Sequence, residues 1–391
     1  MRQKSAGRSE GQEMRAKDMK AITVVGNFGQ ELHELEIFTE KKLSLGKKDV
    51  TLKGAYLDAS GKVPLTEIED IKSTKRGAKY RTRLCFKPFP YRYDFELDLK
   101  VDGETVHVAK GDVKEVSVKD LDRFEAAEKN GVVYRLYRPD VKSKRPLILF
   151  LHGGGECGSD NISQMTGTLG AIKLAERYSD MYVMAPQAPD GNGISMDENL
   201  KKMLSRGNPF RNNMSDTPFS LKGEYGWNRD YLSKVSGIIR DLIDEGLVDE
   251  KRVYVIGLSM GGGGCITMCS VDPELFAGAV AICPSMNGET YSILRSFPKL
   301  PLWIAAAYVD HQKSRNSYIL DACSKNWKDG RDDIQFSMLS EEELAKFGIG
   351  TNPDLTVREL LAENHNVWIP VLCNERGILD WMVSNVKSRE K

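Results

Sequence analysis

The stretch RVYVIGLSMG at residues 252–261 decides the fold expected of this chain. Its first half is short, mostly apolar and β-branched, which predicts a buried strand. Its second half, Gly257 to Gly261, is a G-x-S-x-G pattern, and a helix-like run follows it from Cys265. Because glycines leave room for a sharp strand-to-helix turn, the pattern predicts that the hydroxyl of Ser259 stands above a sheet edge. The pentapeptide alone recurs by chance in glycine-rich loops, so the flanking strand and helix make the prediction specific.

A serine at such a turn needs a base, and the histidines narrow the choice. A hydroxyl is a poor nucleophile until a neighbouring group takes its proton. Of the five histidines, only His311 and His365 follow Ser259 in the chain. The fold that uses this turn orders its residues as serine, acid, histidine. His311 directly follows a candidate acid and leaves no room for that order, so we expect His365 to be the base. The alternative is that His365 is an ordinary surface-loop histidine.

The acid that would orient His365 is expected to be Asp310. It ends the apolar run 301–309, which is long enough to cross a sheet as a buried strand. A carboxylate just past the carboxyl end of a strand lies on the sheet edge where open α/β sheets place their sites. The alternative is that Asp310 caps the following helix. Other aspartates after Ser259 lie in helical or polar stretches and are weaker candidates.

A glycine-rich loop offers a place for a developing oxyanion. The apolar run 146–151 leads into HGGGE at residues 152–156. Backbone N–H groups in such a loop can approach a tetrahedral intermediate because no side chains intervene. We expect Gly154, with Gly153 as the alternative, and Met260 to be the donors. The loop lacks the glycine spacing of phosphate-binding motifs, which disfavours a phosphate site.

Composition excludes several classes of partner and cofactor. The chain has 391 residues, with 56 basic and 56 acidic side chains, so bulk charge favours neither nucleic acid nor an anionic membrane. No apolar run approaches the length of a membrane span. The seven scattered cysteines include no C-x-x-C pair, which favours reduced thiols over disulfides or zinc ligands. We therefore expect no metal and no cofactor.

The pattern of predicted secondary structure changes about a third of the way along the chain. Residues 1–20 are polar, do not have the pattern of a signal peptide as they stand and are expected to be disordered. This favours a cytoplasmic location, with secretion as the alternative if a leader has been removed. Residues 21–118 show short alternating runs, with a hairpin signal at Asp102-Gly103, which predicts an antiparallel β-sandwich. This N-terminal domain is also where a homo-oligomer would form, if the chain makes one.

From residue 119 to residue 391, strands alternate with helical segments. This predicts a mostly parallel sheet covered on both faces. An insertion at about 187–227 breaks the alternation just before the helix that leads to the serine strand. Long connections of this kind tend to be functional covers or disordered segments, so we expect it to rise above Ser259.

Several segments together resemble those of a known enzyme family. The chain is similar to α/β-hydrolase esterases of the polyhydroxybutyrate depolymerase and feruloyl esterase type, some of which carry an N-terminal immunoglobulin-like domain. The resemblance covers about residues 120–391 and rests on the segments 131–139, 152–161, 186–187, 257–262 and 365–368. It implies a cofactor-free carboxylic ester hydrolase with Ser259 as nucleophile, Asp310 as acid and His365 as base. The N-terminal resemblance rests on strand pattern and position alone.

The resemblance also implies a set of substrate contacts. It places a tryptophan near the active site, and here the matching residue is Trp227, whose indole would offer apolar surface to an acyl or aryl group. The alternative is that Trp227 packs the start of the following helix. Gly153, Gln187 and Trp368 are the other expected substrate contacts. The chain departs from the family pattern at Gly154 and Cys157, so the resemblance does not fix the acyl preference.

These observations predict an α/β-hydrolase catalytic domain preceded by a small all-β immunoglobulin-like sandwich. The expected function is that of a serine carboxylic ester hydrolase that acts through an acyl-enzyme on short-chain acyl, aryl or polysaccharide-linked esters. Two alternatives remain open: a serine peptidase on the same fold, and a non-catalytic binding protein with a hydrolase fold.

Overall fold

The computed structural model describes residues 19–58, 61–65, 68–141, 143–189 and 226–388. The chain divides into two compact units, Met1–Asp122 and Arg123–Lys391. This division lies a few residues after the boundary that the sequence pattern predicts, between residues 118 and 119. Most of the predicted disordered tail, and residues 190–225 of the predicted insertion, lie outside the described residues.

The N-terminal unit is built from two antiparallel-rich sheets. One sheet has five strands in the order β5-β6-β2-β1-β9, and the other has four in the order β4-β3-β7-β8. The predicted hairpin at Asp102-Gly103 is confirmed: it joins β7 to β8, and both turn residues have positive φ, 51° and 89°. The strands are β1 Met19–Gly26, β2 Gly29–Thr39, β3 Val50–Asp58, β4 Gly61–Pro64, β5 Ile68–Arg76, β6 Lys79–Pro90, β7 Phe95–Val101, β8 Glu104–Ala109 and β9 Glu115–Val118.

Side chains of both sheets meet in one hydrophobic core. Leu32, Leu35 and Leu84 come from the five-stranded sheet, and Leu97 and Leu99 come from the four-stranded sheet. Burial alternates along β7, as the period of two in a half-buried strand requires. This alternation is the pattern from which a two-sheet sandwich was predicted.

The C-terminal unit has one sheet of eight strands in the order β10-β11-β13-β12-β14-β15-β16-β17. The strands from β13 to β17 pair in parallel, whereas β10 and β11 form an antiparallel edge. The strands are β10 Glu125–Lys129, β11 Val132–Tyr137, β12 Arg145–Leu151, β13 Tyr182–Pro186, β14 Val248–Leu258, β15 Gly278–Ile282, β16 Leu302–Ala307 and β17 Ile334–Leu339. The carboxyl ends of the parallel strands therefore meet at one edge, where the candidate site lies.

The central strands are buried on both faces, which explains their continuous apolar sequences. Every residue of β15 and β13 is buried, and β12 is buried from its second residue onward. The helices are α1 Ser163–Thr166, α2 Gly170–Arg177, α3 Arg229–Asp244, α4 Met260–Val271, α5 Gly288–Arg295, α6 Arg315–Lys328, α7 Glu341–Ala345, α8 Val357–Glu363, α9 Trp368–Leu372 and α10 Ile378–Ser384. Within the described parts of the chain, none of these helices is long and apolar enough to cross a bilayer.

The last helix begins later than its sequence pattern predicts. The pattern favours a helix over 374–385, but α10 begins at Ile378. Asn374, Arg376 and Gly377 have φ values of 63°, 57° and 70°, and this left-handed backbone cannot continue a right-handed helix. The chain makes a separate 3₁₀ turn at Glu375–Gly377 before α10 starts.

Candidate active site

Ser259 occupies a strained turn between β14 and α4. Its φ is 55° and its ψ is −116°, an unusual backbone conformation for a residue with a side chain. A Cβ at Gly257 would lie 2.1 Å from the carbonyl oxygen of Gly261, and a Cβ at Gly261 would lie 2.1 Å from that of Leu151. Glycine is therefore required on both sides of the serine by close backbone contacts, as the G-x-S-x-G pattern predicts.

Backbone hydrogen bonds hold the turn in this conformation. The N–H of Ser259 donates to the carbonyl oxygen of Ile282 at 2.8 Å, at the end of the neighbouring strand β15. The carbonyl oxygen of Ser259 accepts from the N–H groups of Ser285 at 2.9 Å and Gly263 at 3.2 Å. The surrounding backbone thus determines the position of the hydroxyl.

The structure brings Ser259, His365 and Asp310 together. His365 Nε2 lies 3.0 Å from Ser259 Oγ, and His365 Nδ1 lies 3.1 Å from Asp310 Oδ2. His365 lies in the short connection between α8 and α9, and Asp310 follows β16. With its proton on Nδ1, the imidazole donates to Asp310 and accepts from the hydroxyl of Ser259. This is the relative geometry of a serine nucleophile, its base and the acid that orients the base.

Asp310 is a buried carboxylate and does not cap a helix. The N-cap of α6 is Ser314, and the Oδ1 atom of Asp310 instead accepts from the N–H of Gln312 at 2.8 Å. Burial raises the pKa of Asp310, but the hydrogen bond from His365 and the positive charge of Arg315 outweigh it. The pKa of Asp310 is therefore held well below its usual value, and the group is ionised at neutral pH.

Sequence reasoning missed Arg315, which lies inside this group. Arg315 is 2% exposed, and its Nη1 donates to the same Asp310 oxygen that faces His365. Its Nη2 lies 3.3 Å from His365 Nδ1, and its Nε donates to Gln312 Oε1 at 3.1 Å. The sequence gives little indication of this role, because Arg315 begins a helix and an arginine in the first turn of a helix is ordinarily exposed to solvent.

His311, set aside as the base on grounds of chain order, is also a neighbour of His365. The two imidazole rings are 4.5 Å apart, in an edge-to-face arrangement. Burial and the charge of His365 lower the pKa of His311 to about 3, so this ring is neutral at neutral pH. Burial also lowers the pKa of His365, the hydrogen bond with Asp310 opposes this, and the charge of Arg315 adds to the lowering. The pKa of His365 is therefore below its ordinary value, and the ring is a free base at neutral pH.

A buried thiol completes the surroundings of the acid. The Sγ of Cys283 and the ligand atoms of Asp310 and His365 all lie within 4.8 Å of one another. Burial raises the pKa of Cys283 to about 12, so its sulfur stays protonated at neutral pH. Because metals bind thiolates and Arg315 already bonds the carboxylate, this set of atoms is a poor fit for a metal ion.

The glycine-rich loop lies beside the serine turn. A Cβ at Gly153 would lie 3.7 Å from the Cβ of Ser259, and a Cβ at Gly154 would lie 3.9 Å from the Cβ of Met260. His152 is fully buried, and its Nε2 accepts from the N–H of Ala188 at 2.9 Å. Its Nδ1 must then carry the proton and donates to the carbonyl oxygen of Gly153 at 2.6 Å. His152 thereby connects the glycine loop to the backbone at Ala188.

Gln187 and Trp227, two of the expected substrate contacts, are buried and make contacts within the protein. Gln187 is fully buried, and its amide donates to the carbonyl oxygen of Glu156 at 3.1 Å and accepts from the N–H of Asn161 at 2.7 Å. Trp227 is 7% exposed, and its indole ring packs 4.8 Å from the ring of His152. Both side chains contact the loop that begins at His152, and a contact of either with substrate stays a prediction.

Trp368 lies next to the base. Its ring centroid is 5.7 Å from that of His365, nearly perpendicular to it. It is half-buried and begins α9. This position is compatible with a contact to substrate, which stays a prediction.

The known proteins that this chain resembles are hydrolytic enzymes. Residues 216–325, which include Ser259 and Asp310, match the prolyl oligopeptidase family. No curated protein matches the sequence significantly. A thermostable esterase is similar in structure, with a TM-score of 0.61 and 23% identity over 95% of this chain and all of the esterase.

More distant structural matches include two further hydrolases. An S-formylglutathione hydrolase from Agrobacterium tumefaciens has a TM-score of 0.42 and 16% identity, over 68% of this chain and 95% of that protein. A ferulic acid esterase has a TM-score of 0.40 and 12% identity, over 67% of this chain and 96% of that one. The chain has the α/β-hydrolase fold, and its sequence and structural matches are to hydrolytic enzymes.

Proposed function

We propose that this protein is a serine hydrolase that cleaves carboxylic esters through a covalent acyl-enzyme. The observation that carries the proposal is the continuous chain of contacts from Ser259 Oγ to His365 Nε2, at 3.0 Å, and from His365 Nδ1 to Asp310 Oδ2, at 3.1 Å. The strained turn at Ser259 and the glycine loop beside it support the same chemistry. A non-catalytic binding protein would have no need to keep all of these features.

In the proposed reaction, His365 Nε2 takes the proton of Ser259 as its Oγ attacks the ester carbonyl carbon. The backbone N–H groups of Gly154 and Met260 would stabilise the oxyanion. His365 then gives its proton to the leaving alkoxide, and the carbon–oxygen bond to the alcohol breaks. In the second half, water attacks the acyl-enzyme while His365 takes one of its protons. The bond between the acyl carbon and Ser259 Oγ then breaks, His365 returns the proton to Oγ, and the acid leaves. Asp310 holds the imidazole in the tautomer that these steps require.

We infer short-chain acyl, aryl or polysaccharide-linked esters as the substrate class. The match to the esterase, which covers both units of the chain, supports an ester substrate. We also propose that the N-terminal sandwich is immunoglobulin-like, on the basis of its two sheets and shared core.

A serine peptidase is the second candidate function, because residues 216–325 match the prolyl oligopeptidase family. It would use the same three residues and differ in the leaving group, which would be an amine. The two functions are therefore separated by substrate preference and not by the geometry of the triad.

The test compares esters and peptides on the same enzyme preparation. Purified protein is assayed with p-nitrophenyl esters of increasing acyl length and with peptide p-nitroanilides, and it is treated with a fluorophosphonate probe. Ser259→Ala should lower kcat on the order of 10⁴-fold or more and abolish labelling. Ser270→Ala, at the other end of α4, is the matched control and should retain both. A well-folded Ser259→Ala variant with near-normal ester turnover would show that the proposal is wrong, and faster cleavage of peptides than of esters would favour the peptidase.

A further inference from the structure

We propose that Arg315 is a positioning residue of this site, which fixes the Asp310 carboxylate beside His365 and offsets its charge, so that protonation of His365 is disfavoured. The inference rests on the proposed function, because it assigns His365 the role of base.

The first support is the geometry of the guanidinium group. Its three nitrogen atoms face three different partners: Nε donates to Gln312, Nη1 donates to Asp310, and Nη2 lies 3.3 Å from His365 Nδ1. A planar guanidinium presents these donors in fixed directions, whereas a lysine ammonium is a single point of charge. Arg315 therefore fixes the orientation of the Asp310 carboxylate as well as balancing its charge.

The second support is burial. Arg315 is 2% exposed and Asp310 is 5% exposed, so neither charge is well screened by water. A buried cation is tolerated only when a buried anion or other acceptors compensate it. The charge of Arg315 therefore acts strongly on the two residues that it contacts, Asp310 and His365.

The third support is that one carboxylate oxygen serves two partners. Asp310 Oδ2 accepts from Arg315 and also faces His365 Nδ1 at 3.1 Å. In an ordinary triad, the carboxylate stabilises the imidazolium that forms during the reaction. Here the Asp310–Arg315 pair is neutral as a whole, so a proton added to His365 leaves a net positive charge in a buried pocket.

Other titratable groups around His365 do not alter this balance at neutral pH. The ring of His311 is neutral, because its pKa is lowered to about 3. The thiol of Cys283 is protonated, because its pKa is raised to about 12. Asp310 and Arg315 are thus the charged side chains seen to face His365 in the described part of the chain.

The arrangement also bears on which tautomer His365 adopts. With Nδ1 protonated, the imidazole donates to Asp310, and Nε2 is free to take the proton of Ser259. With Nε2 protonated, Nδ1 would accept from Arg315, and the base would be unable to act. The contact of Arg315 Nη2 with Nδ1 by itself favours the second arrangement, whereas the Asp310 carboxylate, which Arg315 Nη1 holds beside Nδ1, favours the first.

The experiment measures pH profiles of wild-type protein, Arg315→Gln and Arg315→Lys. Two readouts are followed: kcat/KM for a p-nitrophenyl ester, and the rate of inactivation by a fluorophosphonate probe, which reports the free enzyme. We call the rise of the rate with pH, as His365 loses its proton, the acid limb of the profile. Arg315→Gln removes a positive charge beside His365, which favours the imidazolium, so the acid limb should shift to higher pH by about one unit. Arg315→Lys retains the charge, so its limb should stay near that of wild type while its plateau rate falls.

Arg331→Gln is the matched control. Arg331 pairs with Asp333 at 2.6 Å and donates to the carbonyl oxygen of Phe297 at 2.8 Å, in the same unit but just before the amino end of β17, whereas the site lies at the carboxyl ends of the strands. This change should lower thermal stability without moving the acid limb. It separates general destabilisation from an effect on His365.

An acid limb that does not move in folded Arg315→Gln would overturn the inference, whatever happens to the plateau. If Arg315→Gln does not fold, Arg315→Lys decides, and an unchanged plateau in that variant would overturn the positioning role. Both results are distinct from failure of the proposed function, which Ser259→Ala reports independently through retained activity and labelling.

Discussion

The indole N–H of Trp227 donates a hydrogen bond to the backbone carbonyl oxygen of His152 at 3.0 Å. This bond joins the start of α3 to the first residue of the glycine loop, 75 positions earlier in the chain. The same indole lies over Gly264 of α4, where an added Cβ would come within 2.7 Å of it. One side chain thus connects the loop, the serine helix and the helix before the serine strand.

Trp227→Ala should therefore reduce stability more than it alters specificity. Loss of a buried tryptophan leaves a cavity and costs about 3–5 kcal/mol of unfolding free energy. It also removes the support of the carbonyl of His152, so kcat should fall for all esters alike. The measurements are denaturant unfolding and an ester chain-length series on the same variant.

Trp368→Ala is the comparison variant for Trp227→Ala, since Trp368 is half-buried beside His365. It should cost less stability and change KM or chain-length preference. A shift of specificity in Trp227→Ala at normal stability would contradict the packing role and restore the substrate-contact interpretation.

The pH dependence of wild-type activity follows from the surroundings of His365. The folded pKa of this imidazole is lowered, with burial as the main cause. Because the free base is the active form, kcat/KM should rise with pH through an apparent pKa below 6.5 and then level off. Initial rates between pH 4.5 and 8 measure this limb, and an apparent pKa above 7 would be inconsistent with the buried environment seen here.

His311 should make stability depend on pH in the acid range. Its pKa falls from an ordinary value of 6.5 to about 3 on folding. Between these two pKa values the unfolded chain binds a proton at His311 more readily than the folded chain does. The stability that the neutral, buried His311 permits is therefore fully present above pH 6.5, and the free energy of unfolding decreases as the pH falls toward 3. His311→Asn, which does not titrate, should show a smaller decrease in unfolding free energy between pH 7.5 and 5. Equal decreases in both proteins would argue against a buried neutral His311.

Gly261→Ala tests the steric basis of the serine turn. Its Cβ would meet the backbone of Leu151 at 2.1 Å, where no side-chain movement can relieve the contact. We expect a loss of stability of about 3 kcal/mol or more, together with loss of activity. Gly288→Ala is the control, because nothing lies within 4 Å of its added Cβ, and it should behave as wild type. A stable, active Gly261→Ala would show that the turn is not constrained in this way.

Parts of the site follow from local sequence because their causes are local. The turn at Ser259 depends on glycines two residues away on either side, and the alternation of strands and helices depends on short periodic patterns. The chain order of serine, acid and histidine then left few candidates, and the structure places Ser259, Asp310 and His365 in hydrogen-bonding contact. These features can be predicted from the sequence because each depends on neighbouring residues or on a residue type, such as histidine, that occurs only a few times in the chain.

Tertiary structure decided the features that depend on contacts between distant segments. No local pattern indicates that Arg315 contacts Asp310 and His365, that Gln187 bonds the loop after His152, or that Trp227 packs against His152. Each of these side chains has a polar group whose burial is tolerable only when a specific partner from another element is present. The sequence by itself therefore determined the turn, the order of the elements and the residues expected to meet, whereas only the folded chain determined which buried partners surround them and hence the charge balance at His365.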